Sequence, residues 1–180
     1  MNVNQGIIAQ KYARAFYNVY GHEITLDSFW ILRSAGSYLR YIPGVLFFLT
    51  LVDIDNKVRE EMINVLLTKL KLPLSFARLI QLLMLHRRIF LLPMVLQFLV
   101  DLCQEQHKAL LFTISTSEQL KNDADKHEIE RFLHRLSGCH ILAEYTLDTN
   151  LIAGVRALNK NYLWEYSIES KMWSITNSLV

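Results

Sequence analysis

Residues 108–116 read Lys-Ala-Leu-Leu-Phe-Thr-Ile-Ser-Thr, and at this stretch the pattern of the 180-residue sequence changes. Phe112 and Ile114 alternate with polar or smaller side chains on either side of them. This period of two, in a run rich in β-branched and apolar residues, predicts a β-strand over 109–116. Apolar residues recur at the helical period before the stretch, and strand-like alternation returns after it. We therefore expect two domains, a helical one over 1–107 and a mixed one over 108–180.

Six helices are predicted in the first domain, over residues 4–20, 25–38, 44–52, 56–70, 74–86 and 88–107. The first helix carries an apolar stripe at helical spacing, formed by Ile8, Tyr12, Phe16 and Val19. The fourth helix carries a set of apolar residues on one face, formed by Val58, Met62, Val65, Leu66 and Leu70. Pro93 lies near the start of the sixth helix, where proline is tolerated. This pattern is typical of a six-helix bundle.

The second domain alternates between strands and helices. Ser117 is expected to cap a helix that runs to residue 136, with an inner face of Leu120, Ala124, Ile129, Phe132 and Leu136. Strands are predicted over 140–147, 151–158 and 162–168, the last two joined by the polar loop 159–161. A final short helix is expected over 169–179. The predicted fold class is therefore mainly α, with a six-helix bundle followed by a small α/β domain.

The composition excludes several classes of protein. With 52% hydrophobic and 20% charged residues, the chain is not intrinsically disordered. A net charge of +2 gives no reason to expect a nucleic acid partner. The longest uncharged apolar stretches, 42–52 and 89–100, have 11 and 12 residues, whereas a membrane-spanning helix needs about 20. We therefore expect no direct membrane insertion. The two cysteines indicate a reducing compartment, and the N-terminus lacks the features of a secretory signal.

The sequence carries no motif that would support catalysis or bind a cofactor. The six glycines are too widely spaced for a phosphate-binding loop. His134, Cys139 and His140 are the nearest approach to a zinc site, but structural zinc normally requires four ligands in two close pairs. We therefore predict no catalytic residue, no cofactor and no metal.

Four short strings follow one another along the chain: residues 11–16 (KYARAF), 87–93 (RRIFLLP), 148–156 (DTNLIAGVR) and 165–172 (EYSIESKM). Together they resemble the delta subunit of the bacterial F-type ATP synthase, the family of the oligomycin-sensitivity-conferring protein. The first is similar to its Y-A-x-A-hydrophobic signature, and the second to its junction of the fifth and sixth helices. The last two resemble its D-P-x-L-I-G-G and D-x-S-hydrophobic-x-x-K/R-L segments. The chain departs from these segments at Thr149, Ala153, Glu165 and Met172.

The resemblance implies a non-catalytic stator adaptor. Such a protein links the catalytic head of the synthase to the b-type helices of its peripheral stalk and so supports proton-driven ATP synthesis. In the family, a groove between the first and fifth helices receives the N-terminal helix of an alpha subunit of the head. The residues expected to line that groove are Ile8, Tyr12, Ala13, Phe16, Tyr20, Phe76, Ile80, Leu83 and Met84. The implied location is the cytoplasmic face of a bacterial inner membrane, peripheral through the synthase complex.

Three residues of the second domain are expected to have structural roles. Gly154 lies in an aliphatic run, where a glycine indicates a bulge or a close approach of two backbones. Asp148 is expected to organise its turn by accepting main-chain hydrogen bonds. Ser167 belongs to the string that resembles the closing segment of the family.

Two other classes of function stay open at this stage. A small helical bundle can bind RNA or DNA, although Arg87-Arg88 is the only adjacent basic pair and the net charge is modest. An enzyme site could also be assembled from residues that are distant in sequence. A polar pocket that joins His134, Cys139 and a carboxylate would support that function.

Overall fold

The structure is a computed structural model that describes residues 3–42, 44–50, 56–120, 122–168 and 172. The chain divides into two compact units, Met1–His107 and Lys108–Val180. The first is helical, and the second contains a four-stranded sheet with one helix among its described residues. This architecture confirms the predicted fold class. The boundary between the units lies where the sequence changes its pattern.

Among the described residues, six α-helices form the first unit: α1 (Val3–Tyr20), α2 (Leu26–Tyr41), α3 (Gly44–Phe48), α4 (Asn56–Leu70), α5 (Ser75–Leu85) and α6 (Leu92–Gln106). Short 3-10 turns over Gly21–Glu23 and Ile89–Leu91 follow α1 and precede α6. Thr25 caps α2 through reciprocal hydrogen bonds with Ser28. Helix α3 ends at Phe48 rather than at the predicted residue 52, and residues 51–55 lie outside the described part of the chain.

Helix α6 forms the centre of the bundle. Helices α1 and α2 both pack against it, and Leu92, Leu96 and Leu99 are completely buried. Pro93 lies in its first turn, where a missing N–H costs no helical hydrogen bond. The stretch Ile89–Gln106 has 18 residues and a mean hydropathy of 1.3, so by length and composition it could cross a membrane. Half of it is buried inside the unit, as is usual for the core helix of a bundle.

The buried faces of α1 and α4 lie about one residue around the helix from the apolar stripes seen in the sequence. Val19 is 61% exposed, and the buried face of α1 consists of Ala9, Ala13 and Phe16. The two alanines let α1 approach α6 closely, so the larger side chains beside them turn toward the surface. On α4, Val58 and Val65 are exposed, and the buried face consists of Ile63, Leu66, Leu67 and Leu70. Apolar residues lie on both sides of these helices, so periodicity alone could not identify the inner side.

The second unit is built around a mixed sheet in the order β2-β1-β3-β4. Its elements are β1 (Ala109–Thr116), α7 (Asp123–Ser137), β2 (His140–Leu147), β3 (Gly154–Leu158) and β4 (Leu163–Ser167). Strands β1 and β2 are parallel, and α7 makes the crossover that a parallel pair requires. Strands β1 and β3 are antiparallel, as are β3 and β4. Phe112, Ile114 and Ala157 of the sheet form a buried cluster with Leu133 of α7.

The predicted start of α7 is wrong. Ser117 does not cap it, because α7 begins at Asp123, after Asn122. Acidic Asp123 and Asp125 in its first turn complement the partial positive charge of a helix N-terminus. Leu120 therefore precedes the helix, and Ala124 and Leu136 are exposed. The inner face consists of Ile129, Phe132 and Leu133.

The last two strands are shorter than predicted. Strand β3 starts at Gly154 instead of residue 151, because the φ of Gly154 is +127°, which is incompatible with a regular strand before it. Strand β4 is one residue shorter at each end than the predicted 162–168. The predicted final helix over 169–179 lies outside the described residues apart from position 172.

Candidate partner-binding surfaces

Aromatic side chains connect α1 to α5. The ring centroids of Phe16 and Phe76 are 4.7 Å apart, and those of Phe16 and Tyr20 are 5.0 Å apart. At the end of this row, Arg78 Nη1 donates a hydrogen bond of 2.7 Å to Tyr20 Oη. Long side chains thus bridge the two helices. We call the surface over this contact the α1–α5 groove. Helical spacing from Phe16 and Arg78 places Ile8, Tyr12, Val19 and Tyr20 of α1 and Leu82 of α5 at its edges.

The nine residues expected to line a partner site fall into two groups. Five are buried by the chain itself and form the floor between the helices: Ala13, Phe16, Phe76, Ile80 and Leu83. Ile8, Tyr12 and Tyr20 are half-buried at the edge of that floor. Met84 is also half-buried, but it lines a cleft of about 590 Å³ together with Arg59, Glu60 and Ile63 of α4. Met84 therefore lies on the α4 side of α5 and outside the α1–α5 groove.

Two exposed apolar residues of this surface were not among the expected ones. Val19, next to Tyr20, belonged to the apolar stripe of the first helix but not to the expected partner site. Leu82 is 43% exposed and lies one helical turn beyond Arg78. The signal for Leu82 was present in the sequence, because α5 carries more apolar residues than one buried face can hold. The sequence could not show which of them remain uncovered.

A second apolar surface lies between α2, α3 and α4. It is a cleft of about 390 Å³, and Phe48, Val58 and Val65 are exposed at it. At its rim, the ammonium group of Lys69 lies 5.7 Å from the ring centroid of Tyr38, a cation–π distance. Sequence analysis did not anticipate this cleft, because it placed Val58 and Val65 on the same apolar face as Leu66 and Leu70, which are buried. We call it the α4 cleft.

In the second unit, an ion-pair network joins the turn before β3 to the β3–β4 pair. Arg156 Nε donates to Glu165 Oε2 over 3.1 Å, and Arg156 Nη1 lies 3.7 Å from Asp148 Oδ2. Ser167 Oγ donates to Glu165 Oε1. Hydrogen bonds from Arg156 and Ser167 lower the pKa of the Glu165 carboxyl below its usual value. Asp148 Oδ1 also accepts a hydrogen bond from the Asn150 amide, which shapes the turn.

Gly154 lies where this network meets the end of the sheet. It pairs with Ser167 in the antiparallel register, and its φ is +127°, a backbone angle that residues other than glycine rarely adopt. A Cβ atom at this position would overlap the carbonyl oxygen of Tyr166 and lie 2.6 Å from Ser167 Cα. Glycine is therefore required at this position, because the backbone has a positive φ and because there is no room for a Cβ atom. The structure brings Asp148, Gly154 and Ser167 together around one corner of the sheet.

In the sequence, His134, Cys139 and His140 were the nearest approach to a zinc site, and an enzyme site with His134 and Cys139 stayed open. In the structure these residues make ordinary local contacts. His134 Nδ1 donates to the Cys139 carbonyl over 2.6 Å, and the ring centroids of His134 and His140 are 6.1 Å apart. Within the described ranges, no three His, Cys, Asp or Glu side chains converge to hold a metal ion. Cys103 is buried in α6, and burial raises the pKa of its thiol.

A helical unit with uncovered apolar surfaces, joined to a small unit tied by an ion-pair network, defines a protein that works by binding partners. The family model described as the ATP synthase delta (OSCP) subunit matches residues 8–179, and the chain belongs to that family. It is therefore a non-catalytic structural subunit, a component of the peripheral stalk of an F-type ATP synthase. Its partners lie within that complex, through which it is held at the membrane.

Comparison with solved structures agrees on the fold. A chain of the Toxoplasma gondii mitochondrial ATP synthase hexamer superposes with a TM-score of 0.54 at 14% sequence identity. The match covers 99% of this chain and 98% of that one. No curated protein matches the sequence.

Proposed function

We propose that the protein holds the catalytic head of the synthase against rotation by connecting it to the b-type subunit of the stalk. The helical unit binds the head, and the α/β unit binds the stalk. The observation that carries this proposal is the α1–α5 groove, whose apolar edge remains uncovered beside a buried aromatic floor. A stator must bind firmly at separate points, and two compact units on one chain suit that requirement.

The groove suits an amphipathic helix, and the proposed occupant is the N-terminal helix of a head alpha subunit. Val19 and Leu82 offer apolar area, while Tyr12 and Tyr20 are amphipathic residues suited to the partly solvent-exposed edge of an interface. Each large apolar side chain that the partner covers contributes about 1.5–3 kcal/mol. Two such contacts contribute about 3–6 kcal/mol, so the remaining apolar face of the peptide must also be buried to offset the cost of association and ordering.

The proposed stalk contact uses the face of the sheet opposite α7. Ala157 packs toward α7, so its neighbour Leu158 points to the other face. Leu158 pairs directly with Leu163 across β3 and β4, and the two side chains are 52% and 64% exposed. This apolar pair is suited to the apolar stripe of a b-type helix. In a bacterial cell the complex would place the protein at the cytoplasmic face of the inner membrane.

Calorimetric titration of the full chain with a peptide copying the N-terminal segment of the organism's alpha subunit tests the head contact. We expect Leu82→Glu and Val19→Glu to weaken binding at least tenfold, since each places a charge on the apolar edge. Val65→Glu, an equally exposed valine at the α4 cleft, serves as the matched control and should bind normally. Absence of binding by the unaltered chain, or loss of binding only in Val65→Glu, would rule out the α1–α5 groove as the site.

A further inference from the structure

Arg78 carries a charge that no carboxylate in the described part of the chain neutralises. Its guanidinium donates to the phenol oxygen of Tyr20, which is a hydroxyl and not a carboxylate. Among the residues that the structure describes, no carboxylate forms an ion pair with it. Arg156 of the second unit, by contrast, pairs with two carboxylates. The positive charge of Arg78 is therefore available to a partner.

The position of that charge is fixed by the buried part of the bundle. Tyr20 packs on Phe16, and Phe16 packs on Phe76, so the phenol that accepts the Arg78 hydrogen bond is held by the core. One of the five guanidinium N–H groups is used in this bond, and the others remain free to form a bidentate contact. A side chain held in place loses little conformational freedom when a ligand binds to it.

Exposed apolar side chains lie on both sides of this charge. Val19 precedes Tyr20 on α1, and Leu82 follows Arg78 by one turn on α5. We propose that Arg78 is a specificity-determining residue of the α1–α5 groove and pairs with a carboxylate at the edge of the partner helix's apolar face. This inference rests on the proposed head-binding function. It adds a chemical requirement: a helix that binds in the α1–α5 groove must carry Asp or Glu at the edge of its apolar face.

The test compares two substitutions that remove the same charge from the full chain. Arg78→Gln removes the proposed anchor, and Arg14→Gln removes an exposed arginine on the outer side of α1. With the alpha-subunit peptide, we expect Arg78→Gln to weaken binding about tenfold, as is usual for a charge-assisted hydrogen bond shielded by the partner. Arg14→Gln should stay within about twofold, as is usual for surface charges far from a contact. Arg78→Lys keeps the charge but loses the paired N–H donors of the guanidinium, so its affinity for the peptide should fall between those of the other two variants.

A second set of titrations uses peptides in which each Asp or Glu is replaced in turn by its amide. One replacement should weaken binding to the unaltered chain but have no further effect on Arg78→Gln, because the two changes remove the same contact. Equal affinities of Arg78→Gln and Arg14→Gln, or losses that add for every peptide carboxylate, would overturn the inference and leave the groove proposal standing. If the unaltered chain does not bind the peptide, the groove proposal fails first and this inference fails with it.

Discussion

Replacing Gly154 by alanine should destabilise the α/β unit far more than the same change at Gly138. Both glycines have positive φ angles, +127° and +67°, and both lie in the second unit. Gly138 ends α7 in the left-handed conformation with open space around it. Its replacement costs only the backbone strain of an alanine there, about 1–2 kcal/mol.

At Gly154 the strain is combined with a clash between backbones. The φ of +127° lies in a region that is almost exclusive to glycine and costs other residues about 1–3 kcal/mol. The new methyl would also overlap the Tyr166 carbonyl, so β4 must move out of its pairing with β3. We expect a total loss of at least about 3 kcal/mol, since ladder hydrogen bonds are lost along with the strain.

Hydrogen exchange of the backbone amides, followed separately for the two units, measures the effect where it arises. In Gly154→Ala the amides of β1, β3 and β4 should exchange faster than in Gly138→Ala, while the helical unit exchanges as in the unaltered chain. Equal losses in the two variants would refute the argument, because the close approach at Gly154 would then contribute nothing to stability.

Three further predictions concern the two units. A fragment of residues 1–107 should give the circular dichroism spectrum of a folded helical protein, because about a hundred residues can bury a sufficient core; an unfolded spectrum would contradict this. Phe16→Ala should lower the stability of the helical unit by about 3–5 kcal/mol, since the ring is only 6% exposed and packs on Phe76; an unchanged melting temperature would show that the ring is not part of the core. Glu165→Gln should destabilise the α/β unit at neutral pH, and the difference should shrink as the pH falls below about 4.3, the ordinary pKa of the group. The sign follows from the lowered pKa of Glu165: its carboxylate stabilises the unit fully above the ordinary pKa, and protonation at lower pH removes that stabilisation. If denaturant titrations gave the same stability difference between the two proteins at every pH, the ion pair would be excluded as the cause of the difference.

Sequence patterns predicted the elements of this fold where local and tertiary preferences agree. Strands β1 and β2 have the predicted bounds, because their alternation also separates the face under α7 from the opposite face. The start of α7 was missed because Ser117 has the chemistry of a helix cap, whereas α7 begins only at Asp123. A capping residue in the sequence cannot show how long the connection between β1 and α7 must be for α7 to pack on the sheet.

The candidate surfaces were less predictable than the elements. Phe16 and Phe76 were expected to line the groove between the first and fifth helices, and their burial between α1 and α5 depends on the packing of the whole unit. The exposure of Val19 could not be predicted, because helical periodicity gives the spacing of a stripe and not its direction. The bond between Arg78 and Tyr20 joins residues 58 positions apart, and no pattern along the sequence could reveal it.

The central claim is that one chain connects the catalytic head to the stalk. Analytical ultracentrifugation of the full chain mixed with the organism's catalytic head and the soluble part of its b-type subunit tests this claim most directly. The account predicts one sedimenting species that contains all three components, and loss of the head but not of the b-type subunit when Leu82→Glu is used. Sedimentation of head and b-type subunit as separate species in the presence of the unaltered chain would contradict it.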